Sequence, residues 1–140
     1  MKLLKIPFEQ ILAILGAMAC LVITILLWQE ITAHQPMWPA PGLYFIEITV
    51  VCVASAGLLM RGGVLARALV WVSAGIVLVF SLLAVFSVGV YYFPVALLLI
   101  IVALAADIRT RQPMLGHVGL FFAGGILQAA LILVTAYLFK

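Results

Sequence analysis

Glu47 is the acidic residue of this 140-residue chain that falls within an apolar run rather than at the edge of one. Carboxylates inside a bilayer are costly and point by default to ion or proton handling. Its depth tempers this. Glu47 lies five residues past Gly42, roughly 7 Å below the outer boundary, where water and headgroups still reach. An interfacial carboxylate bonded to Trp38, Tyr44 or a loop amide is the plainer expectation. Pooled with Glu30 and His34, Glu47 could instead form an exterior cation or proton site, although the spacing matches no strong metal motif. On a helix Glu47 aligns with Val51, Ala54 and Leu58, away from the small residues Cys52, Ser55 and Ala56. It is therefore expected to face a cavity or a partner while that other face packs tightly.

Gln128 is the second such residue. It sits near the middle of an apolar run, where an amide facing lipid would be costly. His117, Phe121, Gly124, Gly125, Gln128 and Thr135 fall within about 60° of one line down a helix. An interhelical hydrogen bond beside a glycine-lined close approach is the expectation, with a solute-lined path as the sharper alternative. Glu9, Ala13, Gly16, Ala17, Cys20 and Thr24 form a comparable ladder of small residues, with Thr24 expected to bond its own backbone. Ala66, Ser73, Ala84 and Ser87 repeat the theme more weakly. Cys20 and Cys52 lack a CxxC partner and read as small buried hydrophobes.

Several chemistries are not expected. His34 and His117 fall near opposite membrane faces, so one haem cannot join them. No GxSxG, Ser/His pair at matched depth, Walker loop, Rossmann fingerprint or nucleic-acid motif occurs. No catalytic, cofactor-binding or metal-binding residues are assigned, no cofactor is implied, and the chain is not expected to be an enzyme or to bind nucleic acid.

The elements that carry these residues follow from composition. With 69% of residues hydrophobic and 8% charged, the chain cannot clothe a water-soluble domain. Six of its seven Lys and Arg residues fall in alternate gaps between apolar runs: Lys2 and Lys5, Arg61 and Arg67, Arg109 and Arg111. Basic loops stay on the cytoplasmic side, so this alternation marks a polytopic membrane protein. The uncharged stretch 68–106 would be about 58 Å long as one helix, nearly twice the hydrocarbon thickness. It must be a hairpin, with the break expected at residues 87–94, where Gly and Pro punctuate.

The expected fold is an all-α integral membrane protein, a compact bundle of five transmembrane helices in one domain over residues 1–140. Its spans are about 6–28, 43–60, 66–86, 91–106 and 114–139, with the fourth the shortest. The N-terminus is expected in the cytoplasm and the C-terminus outside, and the first apolar run is read as a retained span rather than a cleaved signal. A four-span fold in which 91–106 is re-entrant is the alternative, though it would strand Arg109 and Arg111 outside. Loops are expected at 29–42, stiffened by Pro36, Pro39 and Pro41, and at 107–113. Asp107 is expected in a basic rim with Arg61, Arg67, Arg109 and Arg111, facing lipid headgroups. No internal repeat is evident.

The expected setting is a cell membrane, in particular a prokaryotic plasma membrane, with the lipid bilayer and other membrane subunits or copies of the chain as partners. The expected function is that of a small non-catalytic accessory or structural subunit, or a homo-oligomer. The alternative is a small oligomeric transporter or channel for an ion or small solute, working through Glu47 and Gln128, with Glu30 and His34 at its exterior.

Overall fold

The computed structural model describes residues 7–34, 36, 41–111 and 114–138. Lys2, Lys5, Trp38, Pro39 and Lys140 therefore lie outside the described residues, as do the outermost positions of the first and last expected spans. Among the described residues the secondary structure is entirely helical: α1 Phe8–Thr32, α2 Gly42–Arg61, α3 Val64–Leu83, α4 Gly89–Thr110 and α5 Met114–Leu138. All five are long and apolar enough to cross a membrane, the architecture of a multi-pass membrane protein. In hydrocarbon a backbone must satisfy its own amides, and a continuous helix does so.

The breaks have local causes. α2 gives way to α3 at Gly62 and Gly63, whose φ angles of 75° and 103° belong to a region that side chains with a Cβ avoid. Consecutive helices run antiparallel, as shown by pairs such as Gln10 with Leu59, Ser55 with Ser73 and Phe80 with Tyr92. The start of α1, the α2–α3 turn and the α4–α5 junction thus share one end of the bundle. That end carries Arg61, Arg67, Arg109 and Arg111 and is called the basic end below.

The fourth helix corrects the sequence reading. The turn after α3 occupies residues 84–88, earlier than the expected break, and Pro94 lies inside α4 rather than between helices. Pro94 sits one turn past the helix start, where it withholds a single amide and the helix continues. At 22 residues α4 is longer than α2 and α3 rather than the shortest, and it is long and apolar enough to cross a membrane. α4 also runs past Asp107 to Thr110, so Asp107 is helical rather than in a loop. The first helix likewise continues past Trp28 to Thr32, placing Glu30 on its last turn. α3 stops at Leu83, which leaves Ala84 and Ser87 in the turn and only Ala66 and Ser73 of that stripe in the core.

The packing order is a ring plus one. α1 lies against α2 and α4, and α3 closes the circle by packing on both α2 and α4. The fifth helix packs on the outside of α3. Its first turns reach α4 through His117, and its later turns reach α2 through Gln128 and Thr135. α5 therefore crosses α3 diagonally, from the α4 side to the α2 side. At the crossing Gly75 faces Phe121 and Gly125, and Gly124 faces the backbone of Val72. Missing side chains let the two backbones touch, the small-residue packing that membrane helices use in place of a hydrophobic driving force.

α3 is consequently the central element, with Val70, Trp71, Ser73, Ala74, Gly75, Ile76, Val77, Phe80 and Ser81 all buried. Aromatic rings fill the core toward the other end, where Tyr92 packs against Phe45 and Phe80. The α1 ladder is realised as expected, since Glu9, Ala13, Gly16, Ala17 and Cys20 are the buried residues of that face. The tight seam of α2 is likewise Cys52, Ser55 and Ala56.

Candidate functional site

Polar side chains in the bundle meet in pairs that tie one helix to another, arranged from the basic end outward. At the basic end Glu9 on α1 is buried and forms an ion pair with Arg109 on α4, whose side chain is largely exposed. Gln10 adds a hydrogen bond from Nε2 to the carbonyl of Leu59 at 3.0 Å, joining α1 to α2. Glu9 is the first residue of the buried ladder, as its spacing leads one to expect, and it is held there by a cation from a different helix.

Two residues before Arg109 on α4 is the most enclosed charged group among the described residues. Asp107 is 0% exposed and lies where α3, α4 and α5 converge. Its Oδ2 accepts from Trp71 Nε1 at 2.9 Å and lies 2.8 Å from His117 Nδ1. Its Oδ1 is buried with no protein partner. The indole of Trp71 stands edge-on to Phe121, with ring centroids 6.3 Å apart, which fixes the direction of its N–H. Asp107 is therefore not part of a solvent-facing basic rim. The rotation of α4 that buries Leu99 and Ala103 carries Asp107 inward with them, one helical turn further on.

Neutral hydroxyl pairs occupy the middle of the bundle. Ser55 and Ser73 are 2.5 Å apart, linking α2 to α3. Each also lies 2.7 Å from the carbonyl four residues earlier on its own helix. Two hydroxyl protons cannot serve three bonds, so one serine donates to its partner and the other to its backbone. Thr24 departs from its expected backbone bond and lies 2.9 Å from both Thr49 and Tyr92, connecting α1, α2 and α4. Cys20 and Cys52 are buried free thiols in the same region, with Cys20 Sγ 4.0 Å from the carbonyl of Ile48.

The third group joins α2 to α5. Gln128 Nε2 donates to Glu47 Oε2 at 3.3 Å, and Tyr44 bonds to Thr135 one to two turns further along both helices. Gln128 is fully buried and its Oε1 has no partner, whereas Glu47 is half-buried. Among the described residues Glu47 thus takes its partner from α5 and not from Tyr44, while Trp38 lies outside the described residues. The two residues singled out separately in the sequence meet each other. Glu30 and His34 do not join them: they lie 3.6 Å apart, four residues along the chain, with both side chains largely exposed. No group of three His, Cys, Asp or Glu side chains placed to hold a metal occurs among the described residues.

These contacts determine what the arrangement can do chemically. The Asp107–His117 pair has the geometry in which a carboxylate orients an imidazole, but no Ser, Thr or Cys is bonded to His117 among the described residues. It can hold and exchange a proton without a nucleophile to activate. The Glu47–Gln128 contact is a weaker hydrogen bond at the edge of the bundle. Five of the surface recesses among the described residues, of about 220 to 450 Å³, are lined without Glu47, Asp107, His117 or Gln128. Gln128→Leu is expected to cost under about 1.5 kcal/mol, because interhelical hydrogen bonds in membranes contribute modestly. Thermal unfolding in detergent measures this, and a much larger loss would mean that Gln128 holds more than Glu47.

Asp107 and Trp71 are the residues that sequence reasoning missed. A usable signal existed: Tyr92, Ala96, Leu99, Ala103 and Asp107 recur at helical spacing, so extending the fourth span by one turn brings the carboxylate onto the buried face. Compared with family models, curated proteins and solved structures, the chain has no match in any of the three.

Proposed function

We propose that this chain is a non-catalytic multi-pass membrane subunit that works by association, with other membrane proteins or with copies of itself, in a prokaryotic plasma membrane. The observation that carries this reading is the pairing of its polar side chains. Glu9–Arg109, Trp71–Asp107–His117, Ser55–Ser73, Thr24–Thr49–Tyr92 and Glu47–Gln128 each tie helix to helix, and none of the five recesses reaches the carboxylates of Glu47 and Asp107. Such a molecule spends its polarity on holding its own shape. What it offers a neighbour is its lateral surface, where Leu15, Met18, Val22 and Leu26 of α1 and Phe122, Ile126 and Leu133 of α5 are exposed. The alternation of basic residues supports an orientation with the basic end in the cytoplasm and the C-terminus outside.

Native mass spectrometry of the complex purified in mild detergent tests this directly. The expected result is a fixed stoichiometry with a partner or a defined homo-oligomer. A chain that remains a lone monomer in membranes as well as in detergent would overturn it.

The meeting of Glu47 and Gln128 favours a second reading, a small transporter or channel for an ion or solute. Those two polar residues on facing helices, one half-buried and one fully buried, form the start of a path that further copies could complete. Glu47→Gln separates the two readings. For a transporter it abolishes flux in proteoliposomes while the protein stays folded. For a subunit it leaves no flux to lose and alters at most the yield of the assembly.

A further inference from the structure

We propose that Asp107 and His117 form a proton-binding site, exchanging with the solution at the basic end, and that its occupancy decides how firmly α5 is latched to α3 and α4. This does not depend on whether the chain acts as a subunit or as a transporter.

The geometry specifies both the site and its entrance. Asp107 is inaccessible, while the His117 side chain is 13% exposed, so protons reach the carboxylate through the imidazole. With Nδ1 turned to Asp107 Oδ2 at 2.8 Å, Nε2 is the ring position left to exchange. When Nε2 is bare, the pair leaves a net negative charge among three helices, and Oδ1 has no donor to offset it. When Nε2 is protonated, the carboxylate faces a cation and the site is neutral. A buried carboxylate that faces neutral donors is held less firmly than one that faces a cation, so loss of this proton weakens the contacts that enclose Asp107.

Among the described residues, Arg67 is the further ionisable group at this end that lies near the site. On α1, Glu9 is engaged by Arg109. On α4, Arg109 projects to the opposite side from Asp107, and Arg111 follows the helix end in a left-handed conformation. Arg61 closes α2 on the exposed surface. Arg67 lies on α3 one turn before Trp71, with its Nε buried and unpartnered, and it is the nearest cation by register. α5 itself contributes His117.

The consequence falls on α5 because of how that helix is held. It is fastened near one end by His117, pivots on the glycine crossing at Gly75, Gly124 and Gly125, and is fastened again by Gln128 and Thr135. Weakening the His117 latch loosens its first turns while the crossing still holds.

The test uses the full chain in lipid nanodiscs. A His34→Gln background leaves His117 as the single imidazole for nitrogen-15 NMR, and Trp28→Phe with Trp38→Phe leaves Trp71 as the single indole emitter. Between about pH 5 and pH 8, the range in which imidazoles ordinarily change charge, the His117 resonances, Trp71 emission and deuterium exchange of residues 115–125 should follow one transition with a shared midpoint. Exchange in that segment should rise about fivefold or more as the proton leaves, the scale of a small loss in local stability. His117→Gln, which cannot titrate there, should remove the pH dependence of both Trp71 emission and α5 exchange. Asp107→Asn should uncouple a titrating His117 from both. The proposal is overturned if His117 titrates while Trp71 and α5 exchange stay constant, if the imidazole does not change over this range, or if the same transition persists in His117→Gln. The unsubstituted Asp107–His117 pair decides the first two outcomes, so neither depends on how a variant at either position folds.

Discussion

Gly75→Leu and Gly124→Leu are expected to detach α5 from the bundle. A Cβ added at Gly75 would lie 2.0 Å from the Phe121 carbonyl oxygen, and one at Gly124 would lie 2.3 Å from the carbonyl oxygen of Val72. Both obstacles are backbone, so no rotamer change relieves them and the helices must separate. Overpacking of this kind costs about 3 kcal/mol or more. Separation would also draw His117 away from Asp107 and Gln128 from Glu47, because both depend on where the crossing holds α5. Gly125→Ala should be milder, at about 1 kcal/mol, because its Cβ would meet the tip of the Val79 side chain at 2.8 Å. Gly119→Ala is the control, with nothing within 4 Å of the added atom. Reversible unfolding in bicelles, with deuterium exchange of α5, ranks the four variants. If all four behave alike, the close approach is not what positions the fifth helix.

The second large effect is expected at Trp71. It is 5% exposed, fills the space between α3 and α5, and supplies one of the two contacts at Asp107 Oδ2. Trp71→Ala should cost about 4 kcal/mol, combining a cavity with a carboxylate that has lost a donor. Trp71→Phe keeps an aromatic ring against Phe121 and removes the N–H with a smaller loss of volume than alanine, at an expected cost of about 2 kcal/mol, since the hydrogen bond ends on a charged group. Chemical unfolding in detergent separates the two contributions. An unchanged Trp71→Phe would show that Asp107 does not need the indole, whereas equal losses would mean that the hydrogen bond outweighs the cavity.

Where a helical face is decided by residues on the same helix, the sequence was legible. The ladder from Glu9 to Cys20 and the stripe from His117 to Thr135 both turned inward as their spacing requires, because small residues at that period leave the backbone free to approach a neighbour. The even spacing of basic gaps likewise counted five helices. What stayed hidden were meetings between helices far apart in the chain. Asp107 closes an apolar run and precedes two arginines, which is how a loop begins, and only Trp71 and His117 make a buried carboxylate tenable there. Pro94 looked like a break for a similar reason: its local chemistry favours one, but a helix tolerates a single lost hydrogen bond near its start. Glu47 and Gln128 were each legible as unusual. Their contact needed the diagonal path of α5, which no periodicity within either helix encodes.

The ring formed by α1 to α4 has a consequence for synthesis. The interhelical partners of Glu9 and Thr24 include Arg109 and Tyr92, and Tyr92 lies 68 residues beyond Thr24. When α1 leaves the ribosome, neither α4 group exists yet. A helix bearing an unneutralised carboxylate inserts poorly when released into lipid by itself. The first helix is therefore expected to linger beside the insertion machinery until the fourth arrives and the circle shuts. Insertion of this chain is then expected to be a delayed closure rather than five independent entries.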